Sequence, residues 1–297
     1  MKGIVLAGGS GTRLYPITRG VCKQLLPIYN KPMIYYSLSV LLLAHIRDIL
    51  IITTPEDQSA FQRLLGDGSD LGVSFSYAVQ RRPRGIAEAF LLGKPFIDGE
   101  PVCLILGDNI FYGNELSSLL MEARERTKGA TLFGYRVEDP HRYGIIELDS
   151  RGVATAIEEK PAHPRSNIAV TGLYFYDEQV ISMAEQLSPS ARGELEITDI
   201  NRMYLEQQQL HLSLLGRGFA WLDAGTYGSL MQAGQFVQAI EERGGIPIAA
   251  LEEIAYRQGF IDADQLCTLA YRMEKSPYGA YLRGIATQDL ESLVHVG

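Results

Sequence analysis

In the first half of the chain, short apolar runs alternate with longer amphipathic segments, and this alternation constrains the fold more than any other feature. The apolar runs are brief and rich in β-branched residues, as buried strands are. They cover residues 4–7, 49–53, 73–78 and 102–106. The segments between them have helical periodicity, at 32–44, 56–65, 85–92 and 115–126. Strands that alternate with helices predict a parallel sheet with right-handed crossovers.

The second half has a different pattern, since its strand-like runs follow one another with fewer helices between them. These runs are residues 130–137, 144–148, 153–158 and 169–176, and a helix is predicted at 196–207. Three further helices are predicted near the end of the chain, at 248–257, 263–272 and 279–290. We therefore predict an α/β core at 1–240 and a helical C-terminal appendage at 241–297.

The carboxyl ends of the first four predicted strands mark a candidate site. In open α/β sheets, ligands bind at this edge of the sheet. The corresponding segments are residues 8–13, 53–55, 79–85 and 107–109. These segments are therefore the first candidates for a ligand site.

Composition excludes several classes of function. The formal net charge is -8 and no run of Lys or Arg is present, so we expect neither nucleic acid nor a membrane surface as a partner. The three cysteines form no C-x-x-C pair, which favours reduced thiols and a cytoplasmic location. The apolar run at the N-terminus is too short for a signal peptide, and the longest apolar stretch, 35–46, is too short for a membrane span.

The strongest local signal is the glycine-rich turn Gly8-Gly9-Ser10-Gly11-Thr12-Arg13-Leu14, which follows the first predicted strand. Glycines let the backbone approach a phosphate closely and donate its N–H groups. The turn is not a Walker A loop, because Arg13 follows Gly11-Thr12 where that loop has Lys-Ser/Thr. It also lacks the third glycine of a dinucleotide fingerprint, since Leu14 stands there. A tight turn without a ligand remains an alternative.

Two cations near this turn could neutralise a triphosphate. Arg13 ends the turn, and Lys23 follows ten residues later in Lys23-Gln24-Leu25-Leu26-Pro27. Both could stabilise pyrophosphate as it leaves. By itself, Lys23 is equally compatible with a solvated surface lysine.

Taken in order, the motifs resemble those of the sugar-phosphate nucleotidyltransferases, and they extend over nearly the whole chain. The resemblance begins with the glycine-rich turn, Lys23-Gln24-Leu25-Leu26-Pro27 and Lys31-Pro32-Met33-Ile34. It continues through Leu106-Gly107-Asp108-Asn109, Glu158-Glu159-Lys160-Pro161, Val170-Thr171-Gly172, Arg192-Gly193-Glu194-Leu195-Glu196-Ile197-Thr198-Asp199, Trp221-Leu222-Asp223 and Glu252-Glu253-Ile254-Ala255-Tyr256-Arg257. So many motifs in one order are far more specific than any one of them.

The resemblance implies a fold and a reaction. The fold is the Rossmann-like nucleotide-diphospho-sugar transferase α/β fold, with a mixed central sheet flanked by helices and a helical C-terminal appendage. The reaction is the in-line attack of glucose 1-phosphate on the α-phosphorus of dTTP, giving dTDP-glucose and pyrophosphate with Mg²⁺. A homotetramer is implied as well.

The resemblance also implies roles for individual residues. The catalytic set is Arg13, Lys23, Asp108, Lys160 and Asp223, with Asp108 and Asp223 as ligands of Mg²⁺, although a lone Asp more often caps a turn or helix. The nucleotide would be bound by Leu6, Gly8, Gly9, Gly11, Thr12, Arg13, Gln24, Gln80, Gly85 and Asp108. The sugar phosphate would be bound by Gly144, Glu159, Lys160, Val170 and Arg192. Glu159-Lys160 could instead be a surface ion pair of little energetic value. Tyr256 and Arg257 would belong to a regulatory nucleotide site.

The chain departs from the family pattern at several positions. Arg81-Arg82-Pro83-Arg84 stands beside the nucleotide segment where neutral or acidic residues are expected, and Ala224-Gly225-Thr226-Tyr227-Gly228 follows Asp223 in place of Thr-Gly-Thr-His-Asp. Cys22, Asn30 and Ser37 stand where Ser, Asp and Pro are expected. These changes leave base preference and regulation open.

Three other functions remain to be considered. The same reaction could use UTP or another hexose 1-phosphate. A non-catalytic sugar-nucleotide sensor is disfavoured because the charged residues of the proposed catalytic set are all retained. An NAD-dependent dehydrogenase is disfavoured because the second predicted strand ends in Thr53-Thr54-Pro55 without an acidic residue.

Overall fold

A computed structural model describes residues 1–9 and 11–294. In chain order the strands are β1 (Lys2–Leu6), β2 (Pro27–Ile28), β3 (Lys31–Pro32), β4 (Asp48–Thr53), β5 (Ser74–Val79), β6 (Val102–Leu106), β7 (Asn109–Gly113), β8 (Ala130–Arg136), β9 (Gly144–Leu148), β10 (Ala154–Glu159), β11 (Ile168–Tyr176), β12 (Leu210–Leu214) and β13 (Phe219–Asp223). The α-helices are α1 (Ile34–Leu43), α2 (Gln58–Leu65), α3 (Glu88–Ile97), α4 (Leu116–Glu125), α5 (Val180–Gln186), α6 (Ile197–Glu206), α7 (Tyr227–Gly244), α8 (Leu251–Arg257), α9 (Ala263–Arg272) and α10 (Pro277–Val294).

The central sheet is mixed, as predicted. Its main path runs β10-β9-β11-β6-β1-β4-β5, and β8 and β12 extend it from β11. The strands β5, β4, β1 and β6 pair in parallel, while β11 pairs antiparallel with β6. The strand–helix alternation therefore predicted the first half correctly. The antiparallel return of β11 follows the change in pattern seen in the second half of the sequence.

The sheet is buried on both faces because its parallel strands are apolar at successive positions. Side chains of a strand point alternately to opposite faces. Accordingly, Ile4 and Leu50 pack into one core, whereas Val5 and Ile51 pack into the other. Helices cover each face, with α1 and α4 on one side and α3, α5 and α6 on the other.

Several boundaries differ from the prediction. The helix predicted from residue 85 begins at Glu88, since Gly85 has φ of +102° and lies outside helical geometry. The same helix, predicted to end at residue 92, continues past Gly93 and Pro95 to Ile97. A side chain at Gly93 would come within 3.1 Å of Ile4, so the glycine lets α3 pack closely on the sheet.

The longest element that was not predicted from the sequence is α7. Its sequence carries two internal glycines and many polar residues, and only Ala233, Val237 and Glu241 are buried. The predicted boundary at residue 241 falls inside this helix. Beyond it, α8 packs on α1 and α9 packs on α10. The division into core and appendage stays a prediction, and residues 295–297 lie outside the described part of the chain.

None of the helices in the described residues is both long and apolar enough to cross a bilayer. The three cysteines, Cys22, Cys103 and Cys267, are free thiols.

Candidate active site

Two adjoining cavities lie at the carboxyl edge of the parallel strands, and both are lined by Arg13 and Asp108. Arg13 follows β1, and Asp108 follows β6, the strand that pairs directly with β1. The pairing of these strands brings the segments that follow them to one edge of the sheet, as the strand-end rule predicted. Because they line both cavities, ligands bound in the two would meet at Arg13 and Asp108.

The first cavity is formed by the glycine-rich turn and the segments around it. We call it the glycine cavity, and its lining is Gly8, Gly9, Gly11, Thr12, Arg13, Leu14, Lys23, Gln24, Pro83, Asp108 and Gly225. Gly9 and Gly11 have φ of +113° and +56°, a conformation that side chains rarely adopt. The turn then tightens into a single 3₁₀ turn at Thr12–Leu14. Ser10 lies outside the described residues.

Lys23 is buried, so it is not the solvated lysine that the sequence left open. Its Nζ donates to Asp108 Oδ2 at 2.5 Å, and its side chain is only 9% exposed. Burial alone would raise the pKa of Asp108. The Lys23 ammonium and a hydrogen bond from Asn109 outweigh burial and hold that pKa below its ordinary value. Asp108 is therefore a carboxylate at neutral pH.

Asn109 orients Asp108, and the sequence assigned it no role. Its Nδ2 donates to Asp108 Oδ1 at 2.9 Å, while its Oδ1 accepts from Gly172 N at 3.0 Å and from Trp221 Nε1 at 2.6 Å. The side chain is nearly fully buried, at 3% exposure. Its position beside Asp108 at a strand end was the one available signal, because its distant partners leave no mark in the local sequence.

Asp223 lies in the same cavity as Asp108 and is positioned there by a separate two-stranded sheet. β13 pairs antiparallel with β7 so that Asp223 lies opposite Asn109, and Ala224 N donates to Asp108 O at 3.2 Å. Arg142 Nη2 donates to Asp223 Oδ2 at 3.0 Å. Burial raises the pKa of Asp223, Arg142 opposes the increase, and the nearby charge of Asp108 adds to it. Sequence reasoning missed both the Arg142 contact and this strand pairing.

The two carboxylates suit a hard divalent cation. No group of three or more His, Cys, Asp or Glu side chains among the described residues could enclose a metal ion. Mg²⁺ does not need such a cage, since it commonly binds one or two carboxylates and completes its shell with waters and substrate phosphates. Asp108 and Asp223 line one cavity and influence each other's charge. Their oxygens fit a metal that the substrate would help to bind.

The second cavity contains four of the five residues predicted to bind the sugar phosphate. We call it the β9–β11 cavity, and the four predicted residues in its lining are Gly144, Glu159, Lys160 and Val170. Its other polar lining residues are Arg13, Asp108, Asn109, Arg142, Tyr143, Tyr174, Thr198, Asn201 and Asp223. Glu159 Oε2 accepts from Thr198 Oγ1 at 2.7 Å. Gly144 lies directly across from Glu159 in the β9–β10 pair.

Lys160 adopts an unusual backbone conformation at the end of β10. Its φ is +45°, its N donates to Tyr143 O at 3.0 Å, and its Nζ lies 3.4 Å from Glu159 Oε1. Positive φ in a residue other than glycine costs free energy and is concentrated at functional sites. Both residues of the Glu159-Lys160 pair line the β9–β11 cavity, and the Lys160 side chain is 45% exposed.

Arg192 lies next to the β9–β11 cavity without lining it. Its guanidinium donates to Glu196 at 2.7 Å and to Glu159 at 3.4 Å. Three acidic side chains surround it, since Glu194 lies 3.4 Å away. In this arrangement Arg192 contacts the Glu159 carboxylate from outside the cavity lining.

Three residues predicted to bind the nucleotide adjoin the glycine cavity without lining it. Leu6 is the last residue of β1, and Gln80 is buried just after β5. Gln80 Nε2 donates to Gly85 O at 3.3 Å, and its Oε1 would lie 2.8 Å from a Cβ placed on Gly8. Gly85 packs so closely on Leu195 that a side chain there would collide with backbone.

The predicted regulatory residues, Tyr256 and Arg257, lie at the end of α8, outside both cavities. Arg257 is exposed, with its Nε 3.7 Å from Glu253. α8 packs on α1. The two residues therefore lie on a different part of the molecule from the carboxylate pair.

The unexpected residues Cys22, Asn30 and Ser37 all make polar contacts. Cys22 Sγ donates to Gln24 Oε1 at 3.0 Å, and burial raises the pKa of this thiol to about 12. Ser37 Oγ donates to Leu106 O at 3.0 Å, just before Asp108. Asn30 Nδ2 donates to Glu241 Oε2 at 2.6 Å, which ties β2–β3 to α7. None of these changes removes a cation or carboxylate from the site.

Comparisons with known proteins show which family the chain resembles. The model of the nucleotidyl transferase family matches residues 2–240. A glucose-1-phosphate thymidylyltransferase of Neisseria gonorrhoeae is 61% identical over 95% of this chain and 98% of its own length. The protein of the same name from Mycobacterium tuberculosis is 53% identical over the same shares.

Solved structures give the same result. A Bacillus anthracis protein assigned to the glucose-1-phosphate thymidylyltransferases, in complex with sucrose, has a TM-score of 0.74 at 44% identity and covers 80% of this chain and 94% of its own. A UDP-glucose pyrophosphorylase with UDP-glucose, at 24% identity, shares the fold, with a TM-score of 0.69 over 80% of this chain and 98% of its own. By its sequence, its fold and the site at the carboxyl edge of its sheet, the chain belongs to the nucleotidyl transferase family.

Proposed function

We propose that this chain transfers a thymidylyl group from dTTP to α-D-glucose 1-phosphate, giving dTDP-glucose and pyrophosphate. The observation that carries the proposal is the meeting of the two cavities at Arg13 and Asp108. A triphosphate in the glycine cavity and a sugar phosphate in the β9–β11 cavity would face each other across these residues. The curated relatives are named for this activity.

In the proposed reaction, a phosphate oxygen of the sugar attacks the α-phosphorus of dTTP, and the bond from that phosphorus to the β-phosphate bridge breaks. The attacking oxygen is already anionic, so no residue has to remove a proton. Catalysis then depends on positioning and on neutralising charge. Gly8, Gly9 and Gly11 would offer their backbone N–H groups to the triphosphate, and Arg13 and Lys23 would balance the charge of the departing pyrophosphate.

In the second cavity, Lys160 would bind the sugar phosphate and Glu159 would accept hydrogen bonds from sugar hydroxyls. Thr198 and Arg192 hold the Glu159 carboxylate in place for this role. Arg142, which donates to Asp223 and lines the same cavity, would add positive charge near the phosphates. A divalent metal, which we propose to be Mg²⁺ held by Asp108 and Asp223, would supply charge neutralisation and alignment of the phosphates when bound.

The test is a pyrophosphate-release assay over a matrix of sugar 1-phosphates and nucleoside triphosphates, each with Mg²⁺ and with excess chelator. We expect the highest kcat/KM for the pair dTTP and glucose 1-phosphate, and loss of activity with chelator. A higher kcat/KM for another pair, such as UTP with a different hexose phosphate, would reassign the substrates within the same reaction. Binding of dTDP-glucose without turnover of any pair would favour a sensor.

We further propose that the protein is a cytoplasmic homotetramer, regulated by a nucleotide or dTDP-sugar that binds near Tyr256 and Arg257. Light scattering of the purified chain tests the tetramer directly. For regulation, Arg257→Ala should weaken inhibition by an end-product dTDP-sugar without changing kcat. Coupling is reciprocal, so the inhibitor's affinity should also change when substrate is bound. Unaltered inhibition curves would rule out this location.

A further inference from the structure

Gln80 is held in one orientation by two groups that can only accept hydrogen bonds. Its Nε2 donates to Glu88 Oε2 at 2.8 Å and to Gly85 O at 3.3 Å. A carboxylate and a carbonyl have no proton to offer. The NH₂ group of Gln80 must therefore face these two partners, and Oε1 must point the other way.

Oε1 of Gln80 is directed toward the wall of the glycine cavity. It would lie 2.8 Å from a Cβ on Gly8, so only glycine leaves room for it there. Gly8 itself lines the cavity. Within residues 1–9 and 11–294, no hydrogen bond to this oxygen is found. The protein thus presents a fixed acceptor, buried at 6% exposure of its residue, beside the nucleotide cavity.

Glu88 contributes more to this orientation than Gly85 does. Its bond to Gln80 is shorter and is assisted by the carboxylate charge, and such bonds are about twice as strong as neutral ones. Glu88 is also held firmly, as the first residue of α3. The loop before it is fastened to Leu195, whose N donates to Arg84 O at 2.7 Å and whose O accepts from Ala87 N at 3.3 Å.

We propose that Glu88 is a positioning residue for base selection, which fixes Gln80 with its acceptor toward the nucleobase. The inference rests on the proposed function and adds a residue that the family motifs did not assign. A base with a donor N–H at ring position 3, as in thymine and uracil, would satisfy Oε1. Cytosine has an unprotonated nitrogen there, so two acceptors would face each other. By fixing Gln80, Glu88 would therefore disfavour cytosine. It would not discriminate between thymine and uracil, because both carry the same N–H group at position 3.

The experiment compares kcat/KM for dTTP, UTP and dCTP in the wild type and in Glu88→Gln. The amide introduced at position 88 can either donate or accept, so the Gln80 amide becomes free to turn. We expect the ratio of kcat/KM for dTTP to that for dCTP to fall by about tenfold or more, since the loss of an orienting bond to a charged group has an effect of this order. The ratio for dTTP to UTP and the KM for glucose 1-phosphate should stay within about twofold. Purely structural damage would lower kcat/KM for all three nucleotides by similar factors.

A swapped variant, Gln80→Glu with Glu88→Gln, supplies the rescue. Position 80 then carries an acceptor in either orientation, and the new amide at position 88 donates to it. The preference for dTTP over dCTP should return, at a lower absolute rate because Gly85 O now faces a carboxylate oxygen. The control is Glu115→Gln, at an exposed glutamate next to α4, which removes the same charge and should leave the ratio unchanged. If Glu88→Gln does not fold, the swapped variant carries the test.

An unaltered dTTP to dCTP ratio in Glu88→Gln, or failure of the swap to restore it, would overturn this inference and leave the proposed function standing. A wild type that uses dCTP as well as dTTP would likewise overturn only the inference, whereas a wild type that does not use dTTP would overturn the proposed function.

Discussion

Asp108 and Asp223 are the two carboxylates that we propose bind Mg²⁺. We expect Asp108→Asn and Asp223→Asn each to lower turnover by about 10³-fold or more, because each removes one charge from the pair proposed to bind Mg²⁺. The fold should persist, since an amide oxygen at position 108 can still accept from Lys23. Pyrophosphate release at saturating Mg²⁺ measures the effect, with circular dichroism to confirm folding. Asp264→Asn, at an exposed position on α9, is the matched control. Near-normal turnover in either variant would remove that aspartate from the metal site.

Arg13 and Lys160 should differ in which kinetic constant they affect. Arg13 lines both cavities, where charge grows as pyrophosphate departs. Arg13→Ala should therefore lower kcat by about 10²-fold or more. Lys160 lines only the β9–β11 cavity, so Lys160→Ala should mainly raise the KM for glucose 1-phosphate. Steady-state kinetics with each substrate varied in turn separates the two effects. The assignment is wrong if Arg13→Ala changes only the KM for the sugar phosphate.

At the scale of elements, the start of α7 is stabilised by a capping box. Thr226 Oγ1 accepts from Ser229 N at 3.2 Å, and Ser229 Oγ accepts from Thr226 N at 3.0 Å. Thr226→Ala should lower the free energy of unfolding by about 0.5–2 kcal/mol. Urea unfolding measures this, with Thr127→Ala at an exposed position after α4 as the control. Equal losses in the two variants would mean that the cap adds no stability of its own.

A buried carboxyl between α8, α1 and α10 should make stability depend on pH. Burial raises the pKa of Glu252 above its ordinary 4.5, although a hydrogen bond from Tyr278 opposes this. The charge of Lys31 also lowers the pKa of Glu252, while burial and the charge of Glu252 raise the pKa of Tyr35. The folded state favours the protonated form, so this contribution to stability is present below about pH 4.5 and is lost as pH rises through the raised pKa.

Glu252→Gln tests this dependence because glutamine cannot ionise and can still accept from Tyr278. The free energy of unfolding of the variant, relative to that of the wild type, should increase from about pH 4 to about pH 8. Urea titrations at both pH values give the comparison, and Glu115→Gln should show no such trend. A difference that is constant with pH would contradict the proposed ionisation.

At the scale of the whole molecule, a net charge of -8 must still admit a triphosphate. Arg81, Arg82 and Arg84 are exposed beside Pro83, which lines the glycine cavity. They would attract any triphosphate and raise its association rate without favouring one base. Arg84→Asp should therefore raise the KM for dTTP and UTP by similar factors, and added salt should reduce the difference from wild type.

Selection of dTTP over UTP should itself be modest, with kcat/KM ratios well under a thousandfold. Burying one methyl group contributes about 0.8 kcal/mol, and an apolar pocket rejects an added hydroxyl by only about a hundredfold. Measurements of kcat/KM for both nucleotides at two salt concentrations test both statements. A wild-type preference above about 10⁴, or a mutation that affects one nucleotide alone, would show that the arginine loop reads the base or ribose.

The sequence alone determined the parallel half of the sheet and predicted the edge at which ligands should bind. Strand and helix periodicities are local. β6 is apolar throughout and β4 is apolar between Asp48 and Thr53, so the bounds of these two strands could be predicted to within one residue. Motif order added the family, the glycine-rich turn and the charged residues around it. Polar, glycine-containing α7 has no such pattern, and its packing is settled only by the rest of the molecule.

Only the tertiary structure decided which of these residues meet. The pairing of β7 with β13 places Asp223 beside Asp108, and Asn109 contacts Trp221 across 112 residues of sequence. Burial made Lys23 the partner of Asp108, and the Leu195 contacts of the loop after β5 placed Glu88 against Gln80. A local sequence carries no record of such neighbours, because burial and pairing are properties of the folded chain. Charge partners and side-chain orientations are therefore set when distant strands come together.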